Sequence, residues 1–215
     1  KDYADKNNIE VTSNELQKFS EKRRQELKLF SVKDTNSYFN YLGIDFEQWA
    51  DELEIEFLEN KIKDIVITDE IIEKYYRNNL SRFLEIELWK IAVEDKNSAE
   101  EIIEELEKAG TDNIADVFSE LAEDCSVDLD TYRKAGAMGF IKRGVLSAEA
   151  EALAFSNSVN SIIGPFPENK LWAIYRTGET KNSELTDELR QTIKDGLFDL
   201  WKNDLLNSVK VEAPE

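Results

Sequence analysis

The stretch KAGAMGFIKRG, residues 134–144, decides the fold of this chain. It contains three of the eight glycines in a chain of 215 residues, and it separates a predicted helix from a second short amphipathic segment. Glycine adopts positive φ and permits close backbone approach with little strain. We therefore interpret Gly136, Gly139 and Gly144 as residues that shape a tight crossing from a loop into a strand. The alternative, a phosphate-binding loop, lacks the Gly-Lys-Ser/Thr sequence that such a loop requires.

Outward from this stretch, short apolar segments predict strands, and apolar residues at three- and four-residue spacing predict helices. The predicted strands are 86–93, 138–142, 161–166 and 171–178. The predicted helices are 12–30, one that Asp45 opens, one that Thr68 opens, one from Ser98 to Gly110, about 112–124, 147–155 and 183–208. Ser98 and Glu101 have the spacing of a capping box. The mixture predicts an α+β protein.

The last predicted helix has an apolar stripe at four-residue steps, which requires an apolar partner. The stripe consists of Leu185, Leu189, Ile193, Leu197, Trp201 and Leu205. The N-terminal helices offer apolar faces of the same kind, so we expect both ends of the chain to pack together. On this interpretation residues 1–83 and 181–215 form a discontinuous helical domain, and residues 84–180 form an insert with four strands.

The composition excludes several classes of function. The formal net charge is -19, which repels phosphate backbones, so we expect no nucleic-acid partner. This charge suits basic or unfolded polypeptide partners, and solubility alone would also explain it. Histidine is absent, which excludes Ser-His-Asp and Cys-His triads and His-ligated zinc. We expect no metal and no cofactor.

The single cysteine, Cys125, cannot form an internal disulfide. It follows Leu121 and Ala122 on the apolar face of a predicted helix. We favour a small buried hydrophobic residue, and a reactive nucleophile is the alternative. No apolar run is long enough to span a bilayer and no signal segment is visible, so we expect no membrane insertion. The compartment is open between the cytoplasm and, if an N-terminal signal was removed, the extracytoplasmic space of a bacterium.

The order of the predicted elements in 84–180, together with four short motifs, resembles the parvulin-type peptidyl-prolyl cis-trans isomerases (PpiC or rotamase domains). LAEDCSVD (121–128) is similar to the Leu-Ala…Ser-x-Asp run of that family. AGAMGFIKRG (135–144) is similar to its Gly-Gly-Asp-Leu-Gly-x-Phe-x-x-Gly signature. AEALAF (150–155) is similar to the segment that ends in a core Phe, and IIGPF (162–166) to the Gly-Pro before the final strand.

This resemblance implies a site with two histidines, a Cys or Asp between them, and an apolar shelf for the proline ring. Residue by residue, Lys90 stands at the position of the first histidine and Trp172 at that of the second. Asp128 fits the Cys or Asp position. The resemblance thus implies Asp128 and Lys90 as the catalytic residues. A structural ion pair between Lys90 and Asp128 beside a filled pocket is the alternative.

The apolar shelf that the resemblance implies is only partly present. Met138 stands in place of the pocket Leu, and Leu146 stands in place of the pocket Met. Ala150 replaces the pocket Phe, which removes one wall of the proline site. The implied substrate-binding residues also include Phe155 and Trp172, and we expect Trp172 to fill the volume left at Ala150.

The flanking helices resemble those of SurA- and PrsA-like foldases, in which helices from both chain ends build a chaperone domain around a parvulin insert. This resemblance implies unfolded or proline-containing polypeptide clients as partners. Exchange of the long helices between two protomers would give a homodimer.

Two classes of function follow from these observations. The first is an isomerase-family foldase whose catalysis is weak, because both family histidines are replaced. The second is a non-catalytic chaperone, or a maturation or secretion partner for one peptide, with an apolar groove in the helical domain. The candidate groove residues are Phe19, Phe30, Phe39, Trp49 and Phe57. Ordinary packing between helices would also explain each of them.

Overall fold

The structure, a computed structural model, describes residues 1–208 and contains two compact units. One unit is helical and consists of residues 1–75 and the described residues from 186 onward. The other consists of residues 76–185 and contains the sheet. The expected insert, 84–180, lies within the second unit, which extends further at both ends. Within residues 1–208, no helix is both long and apolar enough to cross a bilayer.

Eight helices and four strands are assigned among the described residues. The helices are α1 (Asp2–Lys6), α2 (Ser13–Glu26), α3 (Val32–Leu42), α4 (Phe46–Val66), α5 (Asp69–Asn78), α6 (Lys96–Cys125), α7 (Ala148–Ser156) and α8 (Asp187–Ser208). The strands are β1 (Leu84–Val93), β2 (Ala137–Lys142), β3 (Ile162–Glu168) and β4 (Leu171–Asn182). Short 3₁₀ helices cover Leu80–Phe83 and Tyr132–Lys134.

Local capping fixes where the helices of the helical unit begin. Thr12, Ser31 and Asp45 are the N-caps of α2, α3 and α4, and each forms a capping box with the residue three positions later. Thr68 Oγ1 accepts a hydrogen bond from the backbone of Ile71 at the start of α5. Three of these four caps, Thr12, Asp45 and Thr68, are among the helix starts that the sequence predicts.

Helix α8 has its apolar partner in the same unit. Ile193 and Phe198 are buried, and ion pairs flank them: Lys63 Nζ lies 2.6 Å from Asp195 Oδ1, and Lys194 Nζ lies 2.5 Å from an oxygen of Asp64. The helix begins at Asp187 rather than at residue 183. The N-terminal helices and the C-terminal helix therefore pack together, as the apolar stripe requires.

The four strands form one antiparallel sheet in the order β2-β1-β4-β3. The predicted fold class, a four-stranded α+β unit between N- and C-terminal helices, is confirmed. Helix α6 changes direction at Gly110, whose φ of 72° and ψ of 165° are not helical. The residue predicted to end a helix therefore marks the bend between two helical segments.

Two expectations about α6 are wrong. Its N-cap is Asp95, which accepts a hydrogen bond from the backbone of Ser98, so the cap lies three residues before the predicted Ser98 and Glu101 pair. Cys125 is exposed rather than buried. It is the last residue of α6, and Ala122 is the last buried position on the helix face that contacts the sheet. The apolar stripe therefore ends one turn before the cysteine.

Two apolar clusters cover opposite faces of the sheet. The cluster on the α6 side contains Ile91, Val93, Ala99, Ile102, Leu106, Ile114, Phe118, Ala122 and Ile174. The other contains Ile86, Leu88, Ala150, Ala154, Ile163, Phe166, Ala173 and Tyr175, and α7 packs on it. We name them the α6 cluster and the α7 cluster. Alternate residues of β4 belong to different clusters because successive side chains of a strand point to opposite faces.

Gly136 allows the loop after α6 to lie close against β1. Its φ is +81°, and a Cβ at this position would lie 2.9 Å from the carbonyl oxygen of Lys90 and 3.0 Å from the Cβ of Ala122. Gly139 also has a positive φ, +76°, but a Cβ there would meet nothing within 4 Å. Both glycines therefore have a backbone conformation that disfavours other residues, but only Gly136 also lies too close to its neighbours for a Cβ.

We expect Gly136→Ala to lower the free energy of unfolding by about 3 kcal/mol, because strain in the left-handed region adds to a clash with backbone. Gly139→Ala, the matched control, is expected to lower it by only about 1 kcal/mol, since it has the strain without the clash. Urea unfolding followed by circular dichroism measures both. Equal losses in the two variants would contradict the role of close approach at Gly136.

Candidate active site

Lys90 lies at the centre of an ion-pair cluster on the α7 side of the sheet. Its Nζ lies 2.8 Å from Asp128 Oδ2 and 3.1 Å from Glu168 Oε2. Tyr175 donates its hydroxyl hydrogen to Glu168 Oε1. The three charged side chains are between 13 % and 23 % exposed. One ammonium group is thus held between two carboxylates in a largely dry position.

The backbone of β1 brings the predicted pair together. The Val127 N–H donates to the carbonyl of Ala92 at 2.8 Å, and the Ala92 N–H donates to Ser126 Oγ at 3.1 Å. On the same strand, the Lys90 N–H donates to the carbonyl of Gly136 at 2.8 Å. These bonds hold the loop after α6 against β1 both before and after Asp128, and so bring Asp128 close to Lys90.

Burial and ion pairing act in opposite directions on the charges of the cluster. Burial alone would lower the pKa of Lys90, but hydrogen bonds and attraction from Asp128 and Glu168 raise the pKa above its ordinary value. Burial would raise the pKa of Asp128, but its bond from Lys90 and backbone hydrogen bonds hold that pKa below its ordinary value. Burial and the bond to Glu168 raise the pKa of the Tyr175 hydroxyl. All three groups therefore keep their ordinary charge at neutral pH.

Glu168 and Tyr175 complete the cluster, although no motif in the sequence indicates them. Tyr175 lies directly opposite Lys90 in the pairing of β1 with β4. Glu168 ends β3, where it pairs with Leu171 across the turn. The alternation of β4 indicates that Tyr175 shares a face with Ala173. Only the register of the sheet shows that this face is the one that Lys90 occupies.

The predicted apolar pocket residues lie together, apart from Trp172. Ala150 is fully buried in the α7 cluster. Met138, Leu146 and Phe155 are partly buried and pack against the same cluster. Arg143 covers the ring of Phe155, with its guanidinium carbon 3.9 Å from the ring centroid. The shelf implied for a proline ring is therefore present as an apolar cluster, but a cation occupies one face of its aromatic member.

Trp172 lies on the opposite face of the sheet, and its expected place in the pocket is wrong. It pairs with Val93 and packs against the α6 cluster, and Lys96 Nζ lies 5.8 Å from the centroid of a Trp172 ring. Strand alternation is the reason, because Trp172 neighbours Ala173, which faces the α7 cluster. Trp172 therefore cannot fill the volume at Ala150. The α7 cluster already encloses Ala150.

The cluster limits the chemistry that the site can perform. Lys90 is the donor closest to Asp128, and both carboxylates already accept its hydrogen bonds. A substrate carbonyl that approached Lys90 would have to displace Asp128 or Glu168 and leave that carboxylate without its partner. In the part of the chain that the structure describes, no group of three or more Cys, Asp or Glu residues is arranged to hold a metal ion.

A second concave surface lies in the helical unit, among α2, α3 and the start of α4. This groove has a volume of about 830 Å³. Its lining residues are Gln17, Ser20, Glu21, Arg24, Val32, Thr35, Asn36, Phe39, Asn40, Ile44, Asp45, Phe46 and Trp49. Phe39 and Trp49 are buried at its floor, whereas Val32 and Phe46 are 76 % and 67 % exposed. The Nε of Arg24 is buried and has no hydrogen-bond partner among the described residues.

The predicted groove aromatics lie in three different places. Phe39 and Trp49 line the groove, with their ring centroids 5.5 Å apart. Phe19 and Phe57 instead pack on each other at 5.2 Å. Phe30 is exposed at a separate, smaller depression. The sequence predicts the two floor residues as groove residues but does not indicate Val32 or Phe46. Phe46 lies three residues before Trp49, so helical spacing alone does not separate the exposed ring from the buried one.

Comparisons with known proteins support the parvulin resemblance. Residues 87–179 match the model of the PPIC-type PPIASE (rotamase) domain. The foldase protein PrsA of Caldanaerobacter subterraneus subsp. tengcongensis is 30 % identical over 204 residues, which are 94 % of this chain and 60 % of that protein. PrsA of Halalkalibacterium halodurans is 32 % identical over 137 residues, 64 % of this chain and 39 % of that protein.

A solved structure shows the same fold. The crystal structure of the peptidylprolyl isomerase PrsA from Bacillus cereus has a TM-score of 0.59 at 20 % identity, over 96 % of this chain and 78 % of that chain. The sheet unit, its glycine loop and the site face thus define a parvulin-type rotamase unit. Residues 87–179 match the PPIC-type rotamase domain, and over most of its length the chain is similar to PrsA foldases. It spans 39 % and 60 % of the length of the two curated relatives.

We expect Lys90→Met to lower the free energy of unfolding at neutral pH by about 2–3 kcal/mol, because it leaves two partly buried carboxylates without their cation. Lys142→Met, an exposed control on β2, is expected to change it by less than about 0.5 kcal/mol. Urea unfolding of both variants and the unmodified chain gives these differences.

The Lys90→Met difference is expected to shrink in acid. The lowered pKa of Asp128 stabilises the fold above the pKa of the unfolded chain, and this contribution is lost as the pH falls through the folded pKa. The raised pKa of Lys90 keeps its contribution constant until alkaline pH. A Lys90→Met difference of the same size at pH 7 and at about pH 3 would contradict the ion-pair explanation.

Proposed function

We propose that this chain is a polypeptide-binding foldase whose rotamase unit isomerises prolyl bonds only weakly. The observation that supports it is the Lys90 ammonium held by Asp128 and Glu168 at the position where the family has its first histidine. The similarity to PrsA foldases supports the polypeptide-handling part of the proposal.

Prolyl isomerisation requires an apolar seat for the ring and a carbonyl that has been removed from water. The barrier is about 20 kcal/mol, and an enzyme lowers it by binding the twisted amide more tightly than the planar one. Met138 and Leu146 offer part of the seat. The Lys90 cluster, however, places fixed charges beside it and lacks a free neutral donor. Weak residual catalysis through shape and desolvation follows from this arrangement.

In a protease-coupled proline isomerisation assay, we expect the chain to accelerate isomerisation by less than about tenfold over the uncatalysed reaction. Asp128→Ala is expected to leave this small acceleration nearly unchanged, because the carboxylate is engaged by Lys90. A large acceleration that collapses in Asp128→Ala would overturn the proposal in favour of a working enzyme.

The helical unit offers the surface for polypeptide binding. The groove has an apolar floor, and amide side chains such as Gln17, Asn36 and Asn40 lie among its lining residues. Amide groups can pair with the backbone of an extended peptide, whichever side chains that peptide has. This combination favours sequence-tolerant binding of unfolded chains.

We expect Phe46→Ser to weaken binding of reduced, carboxymethylated α-lactalbumin about fivefold or more, because it removes a large exposed apolar contact at the groove. Leu200→Ser is the matched control, since Leu200 is 59 % exposed in the same unit but does not line the groove. Fluorescence anisotropy of the labelled polypeptide measures both affinities. Equal affinities in the two variants would contradict polypeptide binding at the groove, independently of the result of the isomerase assay.

Two finer expectations stay proposals. Specificity for one peptide, as in a maturation or secretion partner, would appear as tight binding of one sequence and weak binding of others in the same anisotropy measurement. A homodimer formed by helix exchange would appear as a doubled mass in solution scattering. Within one chain, Lys63 of α4 pairs with Asp195 of α8. A monomeric mass would contradict helix exchange.

A further inference from the structure

A cleft of about 440 Å³ in the sheet unit lies between the end of β1, the first helical segment of α6 and the end of the second. Its lining residues are Val93, Glu94, Asp95, Ser98, Glu101, Ile102, Glu105, Leu121, Cys125 and Val127. It shares no lining residue with the Lys90 cluster or with the groove of the helical unit. It is therefore a separate concave surface.

The floor of this cleft is apolar. Val93 and Ile102 are buried members of the α6 cluster, and Leu121 packs against that cluster. Val127, in contrast, is 42 % exposed. An apolar side chain that entered the cleft would therefore contact aliphatic groups and cover Val127, which favours entry through burial of apolar surface.

The charged side chains that line the cleft are all acidic. Among the described residues, Glu94, Glu101 and Glu105 have no ion-pair partner, whereas Asp95 caps α6 through Ser98. Two neighbouring carboxylates of α6 are paired along the helix. The pairs are Glu100 with Lys96 at 2.7 Å and Glu104 with Lys108 at 3.8 Å. Three carboxylates without an ion-pair partner in the described part of the chain therefore lie beside the apolar floor of the cleft.

Charge complementarity selects the occupant of such a cleft. Three unpaired carboxylates around aliphatic residues attract Lys or Arg and repel acidic side chains and phosphates. The methylene stems of Lys and Arg can cover apolar surface while their charges reach the rim. We propose that this cleft binds cationic amphipathic polypeptide segments, in which an apolar side chain is flanked by Lys or Arg. The inference is independent of catalysis at Lys90.

The test uses the full chain and a short fluorescein-labelled peptide of Leu and Lys. We expect Glu101→Gln/Glu105→Gln to bind this peptide about three- to tenfold more weakly than the unmodified chain. The matched control is Glu104→Gln/Glu107→Gln, which removes the same charge from the same helix at exposed positions outside the cleft. It is expected to reduce affinity by less than about twofold through the general field.

The native cysteine locates the bound peptide. Cys125 is exposed and lines the cleft, so bound peptide is expected to slow its alkylation by iodoacetamide several-fold, as measured by mass spectrometry. A peptide in which Glu replaces every Lys should neither bind nor protect Cys125. Equal weakening in the two double variants, unchanged alkylation, or equal binding of the Glu peptide would each overturn the proposal.

These outcomes are distinguishable from failure of the proposed function. Phe46→Ser changes the groove of the helical unit and is expected to leave binding of the Leu and Lys peptide at the cleft intact. The cleft variants should bind carboxymethylated α-lactalbumin, an acidic polypeptide, with unchanged affinity, because that polypeptide is repelled by the cleft. Loss of both binding activities in either variant would overturn the assignment of two separate surfaces.

Discussion

The close approach of Gly136 to the backbone of Lys90 is the constraint on which the loop after α6, and with it the Lys90 site, depends. The Lys90 N–H donates to the Gly136 carbonyl, and the space where a Cβ would stand is taken by the Lys90 carbonyl oxygen. This contact fixes where the loop after α6 turns into β2, and so where Asp128 lies relative to β1. A glycine is required there by geometry, whether or not the site beside it catalyses a reaction.

The electrostatics of the site follow from that backbone arrangement. Once β1 and the loop are joined, the Lys90 side chain extends on the α7 side of the sheet between Asp128 and Glu168, with Tyr175 bonded to the second carboxylate. A partly buried lysine must be paired, because an unpaired ammonium would lose much of its hydration. The pairing that satisfies the lysine also engages the acid that the family resemblance implies for catalysis. The ion pairs that stabilise the cluster therefore also make Lys90 and Asp128 less available to a substrate.

Sequence predicts the parts of this structure that local interactions determine. Side-chain hydrogen bonds within a few residues determine the helix starts at Thr12, Asp45 and Ser147. Backbone conformation determines the helix break at Gly110, and alternation of apolar residues indicates the four strands. Contacts that depend on strand register were missed or wrong. Glu168 and Tyr175 complete the site only through the pairing of β1, β3 and β4, and Trp172 faces the α6 cluster because of the same register. Motif matching places a residue along the chain, but it does not establish on which face of the sheet the side chain lies.

Binding and catalysis place different demands on the same fold. Catalysis of prolyl isomerisation needs a neutral, desolvated site beside the proline ring, and a single lysine in that site changes its charge and occupancy. Binding of extended or unfolded chains needs only accessible apolar surface and nearby polar groups, which can be distributed over several places. The groove around Trp49 and the cleft around Ile102 share no lining residue with the Lys90 cluster. Polypeptide binding at those surfaces is therefore compatible with an ion-paired rotamase site, because neither surface depends on a free donor at Lys90.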